Sequence, residues 1–375
     1  MAQTLQLADL PDLARGAALL GTGGGGDPYI GLLLVSAELE RGRTITLIDP
    51  QEVDDDELVV ASAFMGAPTV VIEKIPGGDE PVVALRRLEH HLGRTADAII
   101  PMECGGLNSM VPLLVAARTG LPIVDGDGMG RAFPELQMET FGVYGVSGSP
   151  IAICNERGHV TLIDTGPDNH SMEWYARGVT IRMGGVSYIA EYPMTGAQVK
   201  RTAIPRTMTL ALRLGRVIRE AREQHRDPFQ ALTECLAGTI YRYGTVLLEG
   251  KVIDVERRSA DGFVRGVARI STFDGSSTVV LTFQNEHLMA RDGDRLLAVV
   301  PDLISVLDAE SAAPITTEAL RYGQRVRIFA ISTPPIVRTP EALAVFGPRA
   351  VGLDVDWVPV EELATRCAGS ATGSL

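Results

Sequence analysis

The chain of 375 residues carries 34 Lys and Arg against 47 Asp and Glu, a formal charge of −13, with 45% hydrophobic and 22% charged residues. That balance excludes global disorder, and so acidic a surface argues against a nucleic-acid or membrane-surface partner. No run reaches the roughly 18 consecutive apolar residues of a membrane span; the N-terminal stretch lacks a signal-peptide pattern, and Cys104, Cys154, Cys235 and Cys367 show no CxxC spacing. The expectation is a reduced, cytoplasmic protein of two or three domains.

In chain order, residues 7–20 are rich in Leu and Ala and read as helix. Gly21-Thr22-Gly23-Gly24-Gly25-Gly26 then breaks the chain, and Asp27-Pro28 starts a helix to about Arg41. TITLID (44–49), LVVASAF (58–64), DAIIPM (97–102) and LPIVD (121–125) read as strands. Helices over 81–93 and from Asn108 to the Gly120 stop lie between them. Strands alternating with helices predict an α/β domain with a mainly parallel sheet over residues 1–168. FGVYGV, PIAICNE and HVTLIDT read as β-rich, and helices are expected over 171–183, 206–224 and 228–237.

After Gly238 four strand-rich runs are joined at Asp261-Gly262, Asp274-Gly275 and Asp292-Gly293, a strong hairpin signal. Residues 169–323 are therefore expected to hold a helical connection and a mainly antiparallel β domain, barrel- or sandwich-like. Residues 324–364 could return to the first domain, and 365–375 read as a loose tail.

The glycine tract satisfies GxGxxG, with Asp49 at a later strand end, but a helix precedes it where a dinucleotide site needs a strand. Its glycines instead suit close approach to a ligand, with helix N–H groups directed there, so Gly23, Gly24, Gly25 and Gly26 are candidate substrate-binding residues. Two strand ends carry the remaining density. Glu103-Cys104-Gly105-Gly106-Leu107-Asn108 follows one, and Asp125-Gly126-Asp127-Gly128-Met129-Gly130-Arg131 follows the other. Ligands of open α/β sheets bind beyond such ends. Glu103, Asp125 and Asp127 are the candidate catalytic acids, with Gly105, Gly106, Asn108 and Arg131 as binding partners. Cys104 reads as a small buried hydrophobe or a nucleophile. His159, His170 and Asp164 form a loose N/O set, the one candidate for a divalent metal such as zinc; no cofactor is otherwise required.

GTGGGGDP (21–28), FMGAPTVVIEK (64–74), ECGGLNS (103–109), VDGDGMGRAFPELQMETF (124–141) and GPRAVGLDVDWVPV (347–360) resemble one bacterial family. It is the S-methyl thiohydantoin desulfurase-like family, long labelled DUF917. The resemblance covers nearly the whole chain. It implies an α/β domain followed by a mainly β domain, and a small cyclic ureide or thioureide as substrate. The implied activity is a hydrolase that removes sulfur or methanethiol to leave a hydantoin, with hydantoinases as pathway neighbours. Cys104 stands where the family is commonly apolar, which weakens it as a nucleophile. Glu103, Gly105, Gly106, Asn108, Asp125, Asp127 and Arg131 fit the pattern.

For that chemistry, water adds to the C2 carbon with Asp127 or Glu103 as base. Asn108, Arg131 or the N–H groups after Gly24 then face the charge that builds on nitrogen and sulfur. A metal-activated water is the alternative route. The rival readings are a ring-opening cyclic amidohydrolase and a non-catalytic ureide-binding protein. A homo-oligomer is expected only because most soluble oligomers are homomeric.

Overall fold

The computed structural model describes residues 2–74, 76–260 and 262–371, without the side chains of 68, 69, 72, 260 and 367–371. The chain divides into two compact units. The first holds residues 2–21, 25–215 and 262–263, and the second holds 22–24, 216–260 and 264–371.

The first unit is built on a mixed eight-stranded sheet with helices. From one edge it runs Gln3–Thr4, Thr46–Ile48, Ile123–Val124, Ala98–Pro101, Leu58–Gly66, Val186–Thr195, Ile151–Cys154 and Val160–Ile163. The four strands from Thr46–Ile48 to Leu58–Gly66 are parallel, and the remainder pair antiparallel. Leu58–Gly66 is buried along nearly all its length, which is why it reads as a continuous apolar run rather than an alternating one. Glu80–Leu92 and Met110–Thr119 are the expected helices, each stopped by a left-handed glycine, Gly93 and Gly120.

Two elements depart from expectation. FGVYGV is no strand: Thr140–Val143 is a short helix, followed by Gly145 at φ +88°. Val186–Thr195, unassigned from sequence, is a long interior strand paired to Leu58–Gly66. Its apolar residues are interrupted by Glu191, Tyr192 and Pro193, which masks the strand pattern. Because this strand completes the first sheet, the first unit continues past residue 168 to Gly215.

The second unit holds an antiparallel eight-stranded sheet. Its order is Arg295–Val299, Glu286–Asp292, Thr278–Gln284, Phe263–Ser271, Gly244–Ala260, Arg325–Ile331, Leu303–Asp308 and Pro314–Ile315. Asp274-Gly275 and Asp292-Gly293 form the expected turns, with both glycines at positive φ; Asp261, at the third, lies outside the described residues. Val252, Ile270, Leu281, Ile304 and Ile328 are among the residues of one buried cluster. The segment 324–364, considered for a return to the first domain, lies in the second unit. Arg325–Ile331 pairs on both sides within the second, because its alternating apolar residues complete that core. Of the tail expected to be loose over 365–375, residues 365–371 continue the helix Val360–Ala371, which Asp302 helps to hold, and residues 372–375 lie outside the described residues. The buried carboxyl of Asp302 accepts from Val360 N and Thr333 N, both at 2.8 Å, and burial pushes its pKa up to about 7.

Candidate functional site

Ala98–Pro101 and Ile123–Val124 are parallel neighbours in the first sheet, so the loops after them leave the same end of it. The Gly128 N–H donates to Met102 O at 2.9 Å and ties the two loops together. The Leu107 N–H donates to the carbonyls of Gly25 (2.8 Å) and Gly26 (3.0 Å). Gly106 sits at φ +59°, and a Cβ there would stand 2.5 Å from the Gly25 carbonyl carbon. The bends around Gly25, Gly105 and Asp127 therefore meet within the first unit. Residues 22–24 cluster with the second unit, where Thr22 O accepts from His287 N at 2.8 Å and Gly23 O from Thr317 N at 2.7 Å. All the glycines of the tract are buried against protein atoms.

Asp127 is fully buried. Its Oδ2 accepts from Cys104 N at 2.5 Å, and both carboxylate oxygens lie 3.1 Å from Gly130 N. Desolvation outweighs these hydrogen bonds and pushes its pKa up to about 7. Glu103, 2% exposed, accepts through Oε1 from Asn108 Nδ2 at 2.6 Å. Asn108 also takes the Phe64 N–H at 2.7 Å and donates to Phe64 O at 3.2 Å. Its amide is thus spent on the central strand and on Glu103, so it positions the acid rather than facing a ligand.

Two further acids escaped sequence reading. Glu139 and Glu191 are fully buried, and none of their four carboxylate oxygens has a hydrogen-bond partner among the described residues. Glu139 lies against the Asp127 loop: a Cβ on Gly128 would meet its Oε2. Glu191 is aimed inward by a β-bulge. Between the pairs Val59–Met194 and Ala61–Glu191 the register slips by one residue, and Tyr192 takes φ +44°, a conformation bulky residues seldom adopt. Desolvation raises the Glu139 pKa well above the usual carboxylate range, helped by the negative charge of Glu191, Asp127 and Glu103. Burial does the same to Glu191, assisted by Glu173. A carboxyl so placed avoids the large cost of a buried charge by keeping its proton. The available signal was a single charged residue inside each otherwise uncharged stretch, LQMETF and SYIAEYPM.

Other candidates have structural employment. Asp125 caps the helix Thr207–Glu223, accepting from Thr209 N at 3.0 Å and from the Thr209 hydroxyl. Arg131 is wholly buried, donates from Nε to Ala132 O at 2.9 Å and lies over the Phe133 ring. Cys104 is buried, and desolvation together with Asp127 holds its thiol far above the usual range, an inert environment for a nucleophile.

The structure does not bring His159, His170 and Asp164 together as metal ligands. Asp164 accepts from Ser149 Oγ and Gly166 N, both at 3.0 Å, while the two exposed histidines line a groove. Among the described residues no three His, Cys, Asp or Glu are grouped to hold a metal ion.

The arrangement is a set of buried carboxyl groups, Asp127 with a pKa pushed up to about 7, around the loops that follow the parallel strands Ala98–Pro101 and Ile123–Val124. Such a set can accept and return protons at neutral pH. A crystal structure of a protein from Chromobacterium violaceum is similar over 96% of this chain and 100% of that one, at 26% identity and a TM-score of 0.80. No curated protein matches the chain. Residues 8–165 match the S-Me-THD-like N-terminal domain and residues 167–360 the S-Me-THD-like C-terminal domain. The chain therefore belongs to the S-Me-THD-like family, whose two domains between them span almost all of it.

Proposed function

We propose that this protein hydrolyses a cyclic thioureide, a thiohydantoin or its S-methyl form, to the corresponding hydantoin with release of sulfide or methanethiol. The observation that carries the reading is Asp127, a fully buried carboxyl with a pKa of about 7 beside Glu103. A base is most effective when its pKa lies near the working pH. Water adds to C2 while Asp127 takes its proton. Addition moves the C2=N or C2=S electron pair onto nitrogen or sulfur. The proton held by Asp127 then passes to sulfur as the C–S bond breaks. The remaining hydroxyl proton goes to the ring nitrogen (S-methyl form) or to the departing hydrosulfide (thiohydantoin), leaving the C2 carbonyl with methanethiol or hydrogen sulfide. Glu103, aimed by Asn108, holds the ring N–H groups. Membership of the S-Me-THD-like family supports the substrate class.

The test is incubation of the full chain with a thiohydantoin, its S-methyl derivative and a hydantoin, following thiol release with a chromogenic disulfide and products by chromatography. Thiol and intact hydantoin together support the proposal. A carbamoyl amino acid without thiol would replace it with ring-opening hydrolysis. Thermal stabilisation by these compounds without turnover would reduce the protein to a ureide binder.

A further inference from the structure

Helix Asn169–Arg182 buries Met172, Glu173, Ala176, Arg177 and Thr180, and leaves Trp174, Tyr175 and Ile181 exposed. Trp174, at 71%, is among the most exposed large apolar side chains of the protein, and its ring meets Tyr175 edge-on at 4.9 Å. Beside them Gly178 has open space where a Cβ would stand. These residues form one wall of a groove of about 1380 Å³ within the first unit. Its floor is the ion pair of Glu173 with Arg177 at 2.6 Å, both nearly buried, with the Phe263 ring under the guanidinium.

The groove is lined by Lys74, Arg157, Arg177 and Arg182 against Glu135, Glu156 and Glu173, an excess of one positive charge on a chain of net charge −13. Lys74 and Glu156 compensate each other at 3.4 Å, as do Glu173 and Arg177. Arg157 remains largely exposed at 3.6 Å from Glu156. Arg182 has no ion-pair partner among the described residues, and His159 and His170 make no side-chain hydrogen bond there. A cationic rim on a protein of net charge −13, beside an uncovered indole, is complementary to a ligand with a flat ring and an anionic group.

We infer that this groove binds a planar aromatic or heteroaromatic anion, its ring on Trp174 and Tyr175 and its carboxylate toward Arg182 and Arg157. The site is distinct from the proposed hydrolytic centre at Asp127 and Glu103, although its floor residue Glu173 also acts on the Glu191 carboxyl.

Calorimetric titration of the full chain with 2-naphthoate and with neutral 2-naphthamide tests it. Naphthoate should bind saturably, and the amide at least tenfold more weakly. Trp174→Ala and Arg182→Ala, both at exposed positions, should each weaken naphthoate at least fivefold without lowering Tm, whereas Asp127→Asn should leave it unchanged. Absence of saturable binding, equal binding of the amide, or wild-type affinity in either groove variant would overturn the inference. So would loss of binding in Asp127→Asn, which would assign the probe to the buried carboxyl groups.

Discussion

Asn108 Nδ2 donates to Glu103 Oε1 at 2.6 Å, and the same side chain holds both the N–H and the C=O of Phe64. The acid is aimed by an amide that is itself pinned to the central strand. Asn108→Ala removes three buried hydrogen bonds at once. At about 1–3 kcal/mol for each group left unsatisfied, Tm should fall by several degrees. Turnover should fall with it even well below that Tm, because Glu103 loses its support. A variant with wild-type turnover would show that Glu103 needs no such aiming.

Asp127→Asn keeps the size of the side chain and removes its proton chemistry. Thiol release should drop at least about a hundredfold, the low end of general-base contributions, with Tm close to or above that of the parent. In the parent, kcat/KM should rise with pH through about 7 as Asp127 ionises. A profile flat from pH 5.5 to 8.5 would remove Asp127 from the role of base.

Glu139 and Glu191 should make the protein less stable as pH rises. Their folded pKa values lie above the ordinary 4.5. The folded state therefore binds protons more tightly than the unfolded chain, and the contribution, full below about pH 4.5, is lost as pH rises toward the folded values. Asp127 acts in the same direction between its ordinary 3.8 and about 7. The groups involved are Glu103, Asp127, Glu173 and the pair itself, all acids, with Arg177 paired to Glu173. Glu139→Gln and Glu191→Gln should each raise Tm more at pH 8 than at pH 5. Equal shifts at both values would mean that the pair ionises normally.

Gly106→Ala should be far more costly than Gly42→Ala. Both glycines have positive φ, but a Cβ at position 106 would drive into the Gly25 carbonyl, whereas at position 42 nothing stands within 4 Å. The exposed site should lose about 1 kcal/mol, from the backbone alone. The buried one should lose several, with aggregation or loss of the folded state as the readout. Comparable Tm values for the two variants would contradict the packing of the glycine tract on the Gly105-Gly106 turn.

Much of this was legible in the sequence because the signals are local. Asp-Gly turns, left-handed glycine stops and apolar runs such as Leu58–Gly66 depend on neighbours in the chain, and they mark the α/β unit and the antiparallel sheet correctly. Strand-end logic placed the Glu103 and Asp127 bends at one end of the sheet; the contact of Gly25 with the Gly105-Gly106 turn joins residues about 80 apart and is seen only in the fold. Val186–Thr195 was not legible, since a bulge at Tyr192 and an acid at Glu191 break its apolar pattern. The partner of Asp125 was not legible for a related reason: only the fold brings Thr209, 84 residues away, to its carboxyl. Glu139 and Glu191 carry only the weak signal of a lone charge within an uncharged stretch, and their burial comes from the fold.

The retained protons have a consequence for how the molecule behaves in an electric field. The figure of −13 counts every Asp and Glu as ionised. Asp127 and Asp302 each titrate near 7, and the Glu139–Glu191 pair holds on to hydrogen well above the usual range. The native protein should therefore migrate toward the anode more slowly at neutral pH than its sequence implies. On denaturation it should discharge acid into the medium, so that the apparent heat of unfolding varies with the ionisation enthalpy of the buffer.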